Sequence, residues 1–314
     1  MTEATKPLAA SFILLSYNQE DTIVASAQSV LDQACEPIEV ILSDDASTDE
    51  TFKKISDLAH SYRGPHRIVA RQNAVNMGVN RHIERAIKLA DSDLMIWTAG
   101  DDINFPHRAQ RIIDAYRKTG AKLIFSDAQT VLKDGSRGSD AYKRALLYHE
   151  SSVKSAAISF ALYLGATAAW HKDLYRKYGG FPAERAYEDL ILGFRAVLED
   201  SIHYIEEELV LYHESIGVSS QLRAGQGEID NRTRRIEILR NLRRVLEQRL
   251  KDADIYGLSR NDPARRVLVS RIHSMTTRLD YYRRQPGATR RFLTRPLTTT
   301  HAFLSEMLRD FRKR

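Results

Sequence analysis

The sequence predicts an α/β protein with a mostly parallel central sheet flanked by helices and with an α-helical C-terminal appendage. Up to about Ser126, short apolar runs of strand length alternate with segments of helical periodicity. Such alternation builds βαβ units, which place their strands side by side in parallel. The strand runs are continuously apolar, as is typical of strands covered on both faces. Beyond Gly217 only helical patterns remain.

The predicted elements of the first half are short and closely spaced. The strands are Ala10–Ser16, Ile38–Leu42, Arg67–Arg71, Leu94–Trp97 and Lys122–Ser126. The helices between them are Asp21–Gln33, Thr48–Tyr62, Asn80–Ala90 and Arg108–Thr119. Ser47 or Thr48 can cap the second helix, and Pro106 suits a first helical turn.

The pattern loosens in the second half. Predicted helices at Ser151–Leu164 and Tyr187–Leu198 alternate with strands at Gly165–Trp170 and His203–Tyr212. Two long charged helices follow, at Arg234–Leu250 and Arg265–Tyr282. A last helix carries an apolar stripe, which consists of Phe303, Leu304, Met307, Leu308 and Phe311.

Composition restricts the classes of protein that remain. The chain has 314 residues, of which 43% are hydrophobic and 28% charged, as in soluble globular proteins. The single cysteine, Cys35, excludes a disulfide framework and a cysteine-rich zinc site. No signal peptide is visible, and the longest uncharged stretch, 155–170, is too short for a membrane span. We therefore expect a cytoplasmic protein, with peripheral attachment to the inner face of the plasma membrane as one alternative.

Charge is unevenly distributed along the chain. The segment 228–314 contains 22 Lys and Arg residues but only 10 Asp and Glu residues, whereas the rest of the chain is mildly acidic. A basic C-terminal region favours contact with an anionic membrane surface or a polyanionic substrate. The alternative is a solvated, arginine-rich helical appendage. No nucleic-acid-binding motif accompanies the charge, so we expect no nucleic-acid partner.

Two acidic motifs follow predicted strands. Asp101-Asp102 comes after Leu94–Trp97, and Asp44-Asp45 comes after Ile38–Leu42. Open α/β sheets bind ligands at the carboxyl ends of their strands, and Mg²⁺ or Mn²⁺ binds there through one or two carboxylates and substrate phosphates. Together the two motifs indicate a site for a metal and a nucleotide. Each alone is also compatible with a solvated turn or a helix cap.

Two further motifs belong to the same half of the chain. Ser16-Tyr17-Asn18 ends the first predicted strand, and Asn76-Met77-Gly78 precedes the helix Asn80–Ala90. The alternative interpretation of the second motif is an ordinary glycine turn.

The order of these motifs resembles that of the family-2 glycosyltransferases, which have the GT-A fold. The resemblance covers roughly residues 10–220 and adds three later motifs, namely Gly179-Gly180-Phe181, Glu188-Asp189 and Tyr212-His213-Glu214. It implies a catalytic domain over residues 1–225, with a nucleotide-sugar-binding half at about 10–130 and an acceptor-binding half at about 131–225. Residues 226–314 then form the helical basic region.

The resemblance implies a role for each motif. Asp189 is the expected general base, with Glu188 as the next candidate; the alternative is that the two only form a charged helix start. Asp102 is the expected direct ligand of Mn²⁺ or Mg²⁺, and Asp101 is expected to hold the metal, its bound water or the ribose. His213 is either a third metal ligand, a diphosphate contact or an ordinary histidine. The implied nucleotide-sugar-binding residues are Ser16, Tyr17, Asn18, Asp44, Asp45, Asn76, Gly78 and Asp101. The chain departs from the fuller family motif at Ala99, where the family has an aspartate.

The implied activity is inverting transfer of a sugar from a UDP-, dTDP- or GDP-linked donor to a glycan or a lipid-linked acceptor, in surface polysaccharide or glycolipid synthesis. One alternative is a catalytically inactive GT-A-like scaffold at the membrane. Another is a sugar-nucleotide pyrophosphorylase, which needs a glycine-rich phosphate loop that residues 12–19 lack. A dinucleotide oxidoreductase is excluded because no Gly-x-Gly-x-x-Gly follows the first strand.

Overall fold

The computed structural model describes residues 8–182, 184, 186–213, 231–283 and 295–311. The strands are β1 (Ser11–Ser16), β2 (Glu39–Asp44), β3 (Arg67–Gln72), β4 (Leu94–Ala99), β5 (Ile103–Asn104), β6 (Leu123–Val131), β7 (Ala169–His171) and β8 (Ile202–His213). The helices are α1 (Ile23–Leu31), α2 (Thr51–Ser61), α3 (Val79–Leu89), α4 (Arg108–Thr119), α5 (Val153–Ile158), α6 (Asp173–Arg176), α7 (Glu188–Leu198), α8 (Asn231–Tyr256), α9 (Pro263–Arg283) and α10 (Pro296–Phe311).

Within these residues the strands form one eight-stranded sheet in the order β3-β2-β1-β4-β7-β6-β8-β5. The neighbouring pairs among β3, β2, β1 and β4 are parallel, and so is the pair β6–β8, whereas β7 and β5 run antiparallel to their neighbours. The predicted mostly parallel sheet is therefore confirmed. Ser16 pairs with Asp44, and Leu15 pairs with Ala99. The carboxyl ends of β1, β2 and β4 consequently meet at one edge of the sheet.

Both faces of the sheet are buried, as the continuously apolar strands predict. Ile13 of β1 belongs to a core formed with α3, α7 and the C-terminal helices. Its neighbours Phe12 and Leu14 belong to a second core, formed with α1, α2 and α4. Because successive strand side chains point to opposite faces, these two cores are the two sides of the sheet.

The C-terminal helices pack into the first of these cores. Leu239 and Leu246 of α8 and Leu268 of α9 are fully or almost fully buried there, together with Phe194 of α7. The helical region is thus a packed part of the structure, and its side chains reach the elements that carry the predicted site. No helix in the described ranges is long and apolar enough to span a bilayer.

Two neighbouring predicted elements differ from the structure. The predicted helix Ser151–Leu164 is wrong beyond Ile158, because α5 ends there and Ser159 is extended. The predicted strand Gly165–Trp170 is wrong in its first part, since Gly165–Thr167 forms a single 3₁₀ turn before β7. A tertiary contact accounts for the early helix end: the carbonyl oxygens of Ala157 and Ser159 accept hydrogen bonds from Arg249.

Candidate functional site

A cleft of about 710 Å³ opens at the sheet edge where β1 and β4 end. It is also lined by the start of α3, the turn Gly165–Thr167 and the start of α7. Nine of the residues predicted for the site line it, namely Ser16, Tyr17, Asp45, Asn76, Gly78, Asp101, Asp102, Glu188 and Asp189. The sheet therefore brings together motifs that lie up to 173 positions apart in the sequence.

Asp101 and Asp102 form a buried acidic pair in the turn after β4. Asp101 accepts a hydrogen bond from the Gln19 side-chain amide at 2.9 Å. Burial raises the pKa of Asp101, and burial together with the charge of Asp101 raises the pKa of Asp102 well above its usual value. Neither carboxylate has a salt bridge to any described residue. Two adjacent buried carboxyl groups without a salt bridge to a described residue are a donor set that suits a hard divalent cation.

The glycine before this pair lies in a crowded environment. A Cβ atom at Gly100 would lie 2.6 Å from Gln19 Oε1 and 2.9 Å from Ile23 Cδ1. A larger residue would require the Gln19 and Ile23 side chains to shift. Gly100 therefore lets the acidic turn lie close against the start of α1.

His213, at the end of β8, also reaches the acidic pair. Its Nδ1 donates to the backbone carbonyl oxygen of Asp101 at 2.7 Å, and its backbone N–H lies 3.4 Å from Asp102 Oδ1. The described residues contain no group of three or more His, Cys, Asp or Glu side chains arranged to hold a metal. A cation bound to the acidic pair would therefore complete its coordination with substrate or water oxygens, as Mg²⁺ commonly does.

Arg108 lies fully buried behind the pair. Its guanidinium donates to the carbonyl oxygens of Trp97 at 2.9 Å and Ala166 at 3.1 Å, which ties β4 to the turn Gly165–Thr167. Burial lowers the pKa of Arg108 to about 9, and the charge of Asp102 opposes that shift. Arg108 therefore links two walls of the cleft.

Asp45 holds the loop that precedes α3. Its carboxylate accepts hydrogen bonds from the Asn73 amide at 2.6 Å and from the backbone N–H groups of Met77 and Gly78 at 2.9 Å. Gly78 has a φ of +76°, a conformation that favours glycine. The Asn-x-Gly motif and the second aspartate of Asp44-Asp45 are therefore one structural unit at the rim of the cleft.

Asp44 and Asn18 lie behind the cleft wall and do not line it. Asp44 is completely buried and accepts hydrogen bonds from Ser16 Oγ at 3.2 Å and the Ser47 N–H at 2.8 Å. The Asn18 side chain accepts a hydrogen bond from the Thr48 N–H at 2.9 Å. Both residues brace the loops after β1 and β2.

Asp189 lies at the first turn of α7 and is half-buried in the cleft wall. Its Oδ1 accepts a hydrogen bond from the Leu190 N–H at 2.8 Å. Burial raises the pKa of Asp189, and the positive charge of Arg249 opposes that rise. A raised carboxyl pKa in a cleft is typical of a group that exchanges protons near neutral pH. Glu188 and Tyr187 line the same wall.

Sequence reasoning did not identify Gln19, Arg108 or Arg249 as site residues. Arg108 and Arg249 lie in segments with the pattern of ordinary charged helices, so nothing in the local sequence indicates that these two arginines are buried. Gln19 directly follows the predicted Ser16-Tyr17-Asn18 motif, and that position was the one available indication.

The family assignment follows from a comparison with known proteins. Residues 11–179, more than half of the chain, match the family model described as "Glycosyl transferase family 2". The chain belongs to glycosyl transferase family 2. The match contains β1, β2 and β4 with the acidic motifs that follow β2 and β4, and it stops before α7.

Named relatives match over parts of this family 2 chain. It is 34% identical over 92 residues to the UDP-Glc:alpha-D-GlcNAc-diphosphoundecaprenol beta-1,3-glucosyltransferase WfaP of Escherichia coli, which is 29% of this chain and 35% of WfaP. It is 29% identical over 119 residues to the abequosyltransferase RfbV of Salmonella typhimurium, which is 37% of this chain and 35% of RfbV. The chain spans little more than a third of the length of the curated relatives that it matches first.

Two solved structures share the GT-A fold with this family 2 protein. TarS of S. aureus in complex with UDP-GlcNAc superposes with a TM-score of 0.59 at 15% identity, over 94% of this chain and 89% of the TarS chain. The mannosyltransferase PcManGT of Pyrobaculum calidifontis, in complex with GDP-Man and Mn²⁺, gives 0.57 at 15% identity, over 97% and 76% of the two chains. At this level of identity the likeness establishes the fold alone.

Proposed function

We propose that this protein transfers a sugar from a nucleoside-diphosphate sugar to an acceptor hydroxyl with inversion at the anomeric carbon. One observation carries the proposal: a single cleft contains the acidic pair Asp101-Asp102, the loop held by Asp45 and the carboxylate of Asp189. The nucleotide sugars bound to TarS and PcManGT support a donor of the same class, which we expect to be linked to UDP, dTDP or GDP.

The reaction needs a base and a stabilised leaving group. Asp189 accepts the proton of the acceptor hydroxyl while that oxygen forms a bond to the anomeric carbon. The bond between the anomeric carbon and the diphosphate oxygen breaks, and its electron pair leaves with the nucleoside diphosphate. Attack opposite the leaving group inverts the configuration. Because its pKa is raised, Asp189 is a better proton acceptor than an exposed carboxylate.

Asp101 and Asp102, with His213 beside them, would hold a divalent cation, either Mn²⁺ or Mg²⁺. When bound, such an ion offsets negative charge that develops on the departing diphosphate. Burial of the two carboxyl groups without a salt bridge to described residues supports this assignment. The Mn²⁺ in the PcManGT complex is consistent with it.

The acceptor is a glycan or a lipid-linked sugar in surface polysaccharide or glycolipid synthesis. The names of RfbV and WfaP support a role in glycan assembly, and the name of WfaP specifies a diphosphoundecaprenol-linked acceptor. A lipid-linked acceptor would be presented at a membrane surface. We therefore also propose that the enzyme is located in the cytoplasm, at the inner face of the plasma membrane.

The last helix offers the surface for that attachment. The buried side of α10 consists of Thr299, Ala302 and Glu306. Leu297, which is not part of the predicted stripe, is 87% exposed. Leu304, Met307 and Leu308 are exposed, Leu308 by 54%, so much of the predicted apolar stripe faces outward. Phe303 is the exception, because it packs edge-on against Tyr281 at 5.0 Å. The side chain of Phe311 lies outside the described residues.

An anionic bilayer is the partner that fits this surface. The exposed leucines and Met307 form an apolar face, and Arg295 and Arg309 flank it at the two ends of the helix. The sequence continues with the basic residues Arg312-Lys313-Arg314. An amphipathic helix with basic flanks lies in the membrane interface, and each Lys or Arg near an anionic surface contributes about 1 kcal/mol.

A thermal-shift screen tests the catalytic proposal without an acceptor. UDP-, dTDP- and GDP-sugars are added with Mn²⁺, with Mg²⁺ or with a chelator. We expect at least one donor to raise the melting temperature in a cation-dependent manner, because a ligand that binds only the folded state stabilises it. The Asp102→Asn variant should lose the cation-dependent part. Stabilisation by no donor with either cation would contradict the proposal.

The same samples distinguish the two alternatives. A catalytically inactive scaffold would bind donor without releasing nucleoside diphosphate during long incubation. A sugar-nucleotide pyrophosphorylase would form nucleoside triphosphate when pyrophosphate is added. The proposal predicts release of nucleoside diphosphate and no nucleoside triphosphate.

A further inference from the structure

We infer that Arg249, on the C-terminal helix α8, is a positioning residue for Asp189: it fixes the first turn of α7, and its buried positive charge favours the ionised form of the Asp189 carboxylate. The inference rests on the proposed function, since it concerns the base assigned there. It also gives the C-terminal region, where the match to the family model does not extend, a direct part in the chemistry.

Hydrogen bonds through Leu190 connect Arg249 to the first turn of α7. Arg249 Nε and one terminal nitrogen donate to the Leu190 carbonyl oxygen at 3.0 and 2.8 Å. The Leu190 N–H in turn donates to Asp189 Oδ1 at 2.8 Å. One peptide residue therefore connects the Arg249 guanidinium to the Asp189 carboxylate.

The other terminal nitrogen of Arg249 binds a second element. It donates to the carbonyl oxygens of Ala157 at 3.1 Å and Ser159 at 2.7 Å, at the end of α5. The Arg249 side chain is fully buried. Its planar group of donors thus joins three helices in one fixed arrangement, which the single ammonium group of lysine would not reproduce.

The charge of Arg249 carries the second half of the inference. All its described hydrogen bonds go to backbone carbonyl oxygens, so no carboxylate contacts its charge directly. The acidic groups that interact electrostatically with Arg249 are Asp189 and Asp252, and Asp252 is already paired with Arg195. Arg249 favours the ionised form of Asp189 and so opposes the rise in the Asp189 pKa that burial causes.

Two other titratable groups lie near Asp189, and neither carries a positive charge. Glu188 precedes it on the same helix turn, and Tyr163 is a buried neighbour whose pKa is raised by burial and by the charges of Asp189 and Glu188. Of the described residues, Arg249 is the cation that influences the Asp189 pKa. Without it, the carboxyl group would be protonated at a higher pH.

The test compares pH profiles of kcat/KM for nucleoside diphosphate release from the donor sugar. In Arg249→Met the acidic limb of the profile, where kcat/KM falls as Asp189 becomes protonated, should move to higher pH by about one unit. At one pH unit below the wild-type midpoint of this limb, kcat/KM of the variant should therefore be about tenfold lower than that of the wild type. The KM for the donor should change less than kcat. Arg249→Lys keeps the charge but loses the planar donors, so kcat should fall while the limb stays near its wild-type position.

Two control variants separate this role from general stabilisation. Leu246→Ala weakens the buried packing of α8 without changing charge, and Lys251→Met removes an exposed charge two positions from Arg249. Neither should move the limb. If Arg249→Met does not fold, Arg249→Gln removes the charge but keeps two amide donors, and its limb should move by the same amount.

The outcomes also separate this inference from the proposed function. An unmoved limb in the folded, uncharged Arg249 variants, in a protein that Asp189→Asn inactivates, would overturn the inference alone. An active Asp189→Asn variant would overturn the assignment of the base. A limb shift of equal size in Leu246→Ala would reduce Arg249 to a packing role.

Discussion

Arg195 and Asp252 form a completely buried ion pair that joins α7 to α8. Arg195 Nε donates to Asp252 Oδ2 at 2.9 Å, and a terminal nitrogen donates to Oδ1 at 3.2 Å. Arg195 also binds the carbonyl oxygens of Leu174 and Gly179 at 3.0 and 3.1 Å. The pair therefore anchors the helix that begins with the proposed base to the C-terminal region.

Breaking this pair from one side should be strongly destabilising. Asp252→Asn leaves the Arg195 charge buried without a counterion, which typically costs about 3–5 kcal/mol of unfolding free energy. Urea denaturation at neutral pH measures the loss. Asp254→Asn is the matched control, because Asp254 lies on the same helix and is the solvent-exposed partner of an ion pair with Arg265. Such pairs contribute at most about 1 kcal/mol. Equal effects of the two substitutions would show that the buried pair has no special role.

Asp44 and Asp45 should differ in their effects although they are adjacent. Asp45 lines the cleft and holds Met77 and Gly78, so Asp45→Ala should weaken binding of nucleoside diphosphate without metal by about 1.5–3 kcal/mol. Asp44 lies behind the wall, so Asp44→Ala should mainly lower the melting temperature. Calorimetric titration of the two variants measures the difference. Unchanged affinity in Asp45→Ala would reduce Asp45 to a loop support.

The exposed face of α10 should bind anionic vesicles. Leu304→Glu with Leu308→Glu should abolish flotation with vesicles that contain anionic lipid at low salt. The melting temperature should stay near that of the wild type, because both side chains are exposed. Ser259→Glu with Asn261→Glu adds the same charge at an exposed turn and should leave flotation intact. The membrane assignment would be contradicted if the wild-type protein did not bind these vesicles. It would also be contradicted if the wild type formed a dimer that the leucine substitutions disrupt.

The packing of α10 against α8 and α9 should depend on pH through Glu306. This buried carboxylate accepts hydrogen bonds from Arg235 at 2.6 Å, Arg278 at 2.6 Å and Tyr282 at 2.8 Å. Burial alone would raise its pKa, but these partners outweigh burial and lower it. The ionised form therefore stabilises the fold above the ordinary glutamate pKa of about 4.3, and this contribution is lost as the pH falls through the lowered pKa.

The variant Glu306→Gln measures that contribution. It should be less stable than the wild type at pH 7, and the difference should shrink as the pH falls below about 4. Glu237→Gln, at an exposed position of α8, is the control and should change stability little at either pH. A stability difference for Glu306→Gln that stays constant with pH would contradict the role of its charge.

The sequence alone was sufficient to predict the half of the fold that depends on local patterns. The runs that became β1, β2 and β4 are continuously apolar, and the polar motifs at their ends meet because parallel strands finish at one edge. The segment 151–164 was less predictable. Its small residues permit a helix, but Arg249 binds the carbonyl oxygens of Ala157 and Ser159 from about 90 positions away and ends the helix there.

The same limit applies to the C-terminal helices. Periodicity identified the apolar stripe of α10, yet it could not indicate which face packs inward. In the structure the face with Thr299, Ala302 and Glu306 is buried, because Glu306 meets two arginines and a tyrosine from α8 and α9. Likewise, the burial of Arg195 and Asp252 depends on a pairing across 57 positions, which composition and spacing do not reveal.

The most direct test of the proposed reaction is to measure donor binding and nucleoside diphosphate release in the same preparation of Asp189→Asn. Calorimetry should give a donor affinity close to that of the wild type, because Asp189 is assigned to the acceptor proton. Release of nucleoside diphosphate should fall by about 10²–10⁴-fold, since the amide cannot accept a proton. Glu188→Gln, at the neighbouring position of the same cleft wall, should retain most of the activity. Near-normal release by Asp189→Asn, or a larger loss in Glu188→Gln, would contradict the assignment of Asp189 as the base.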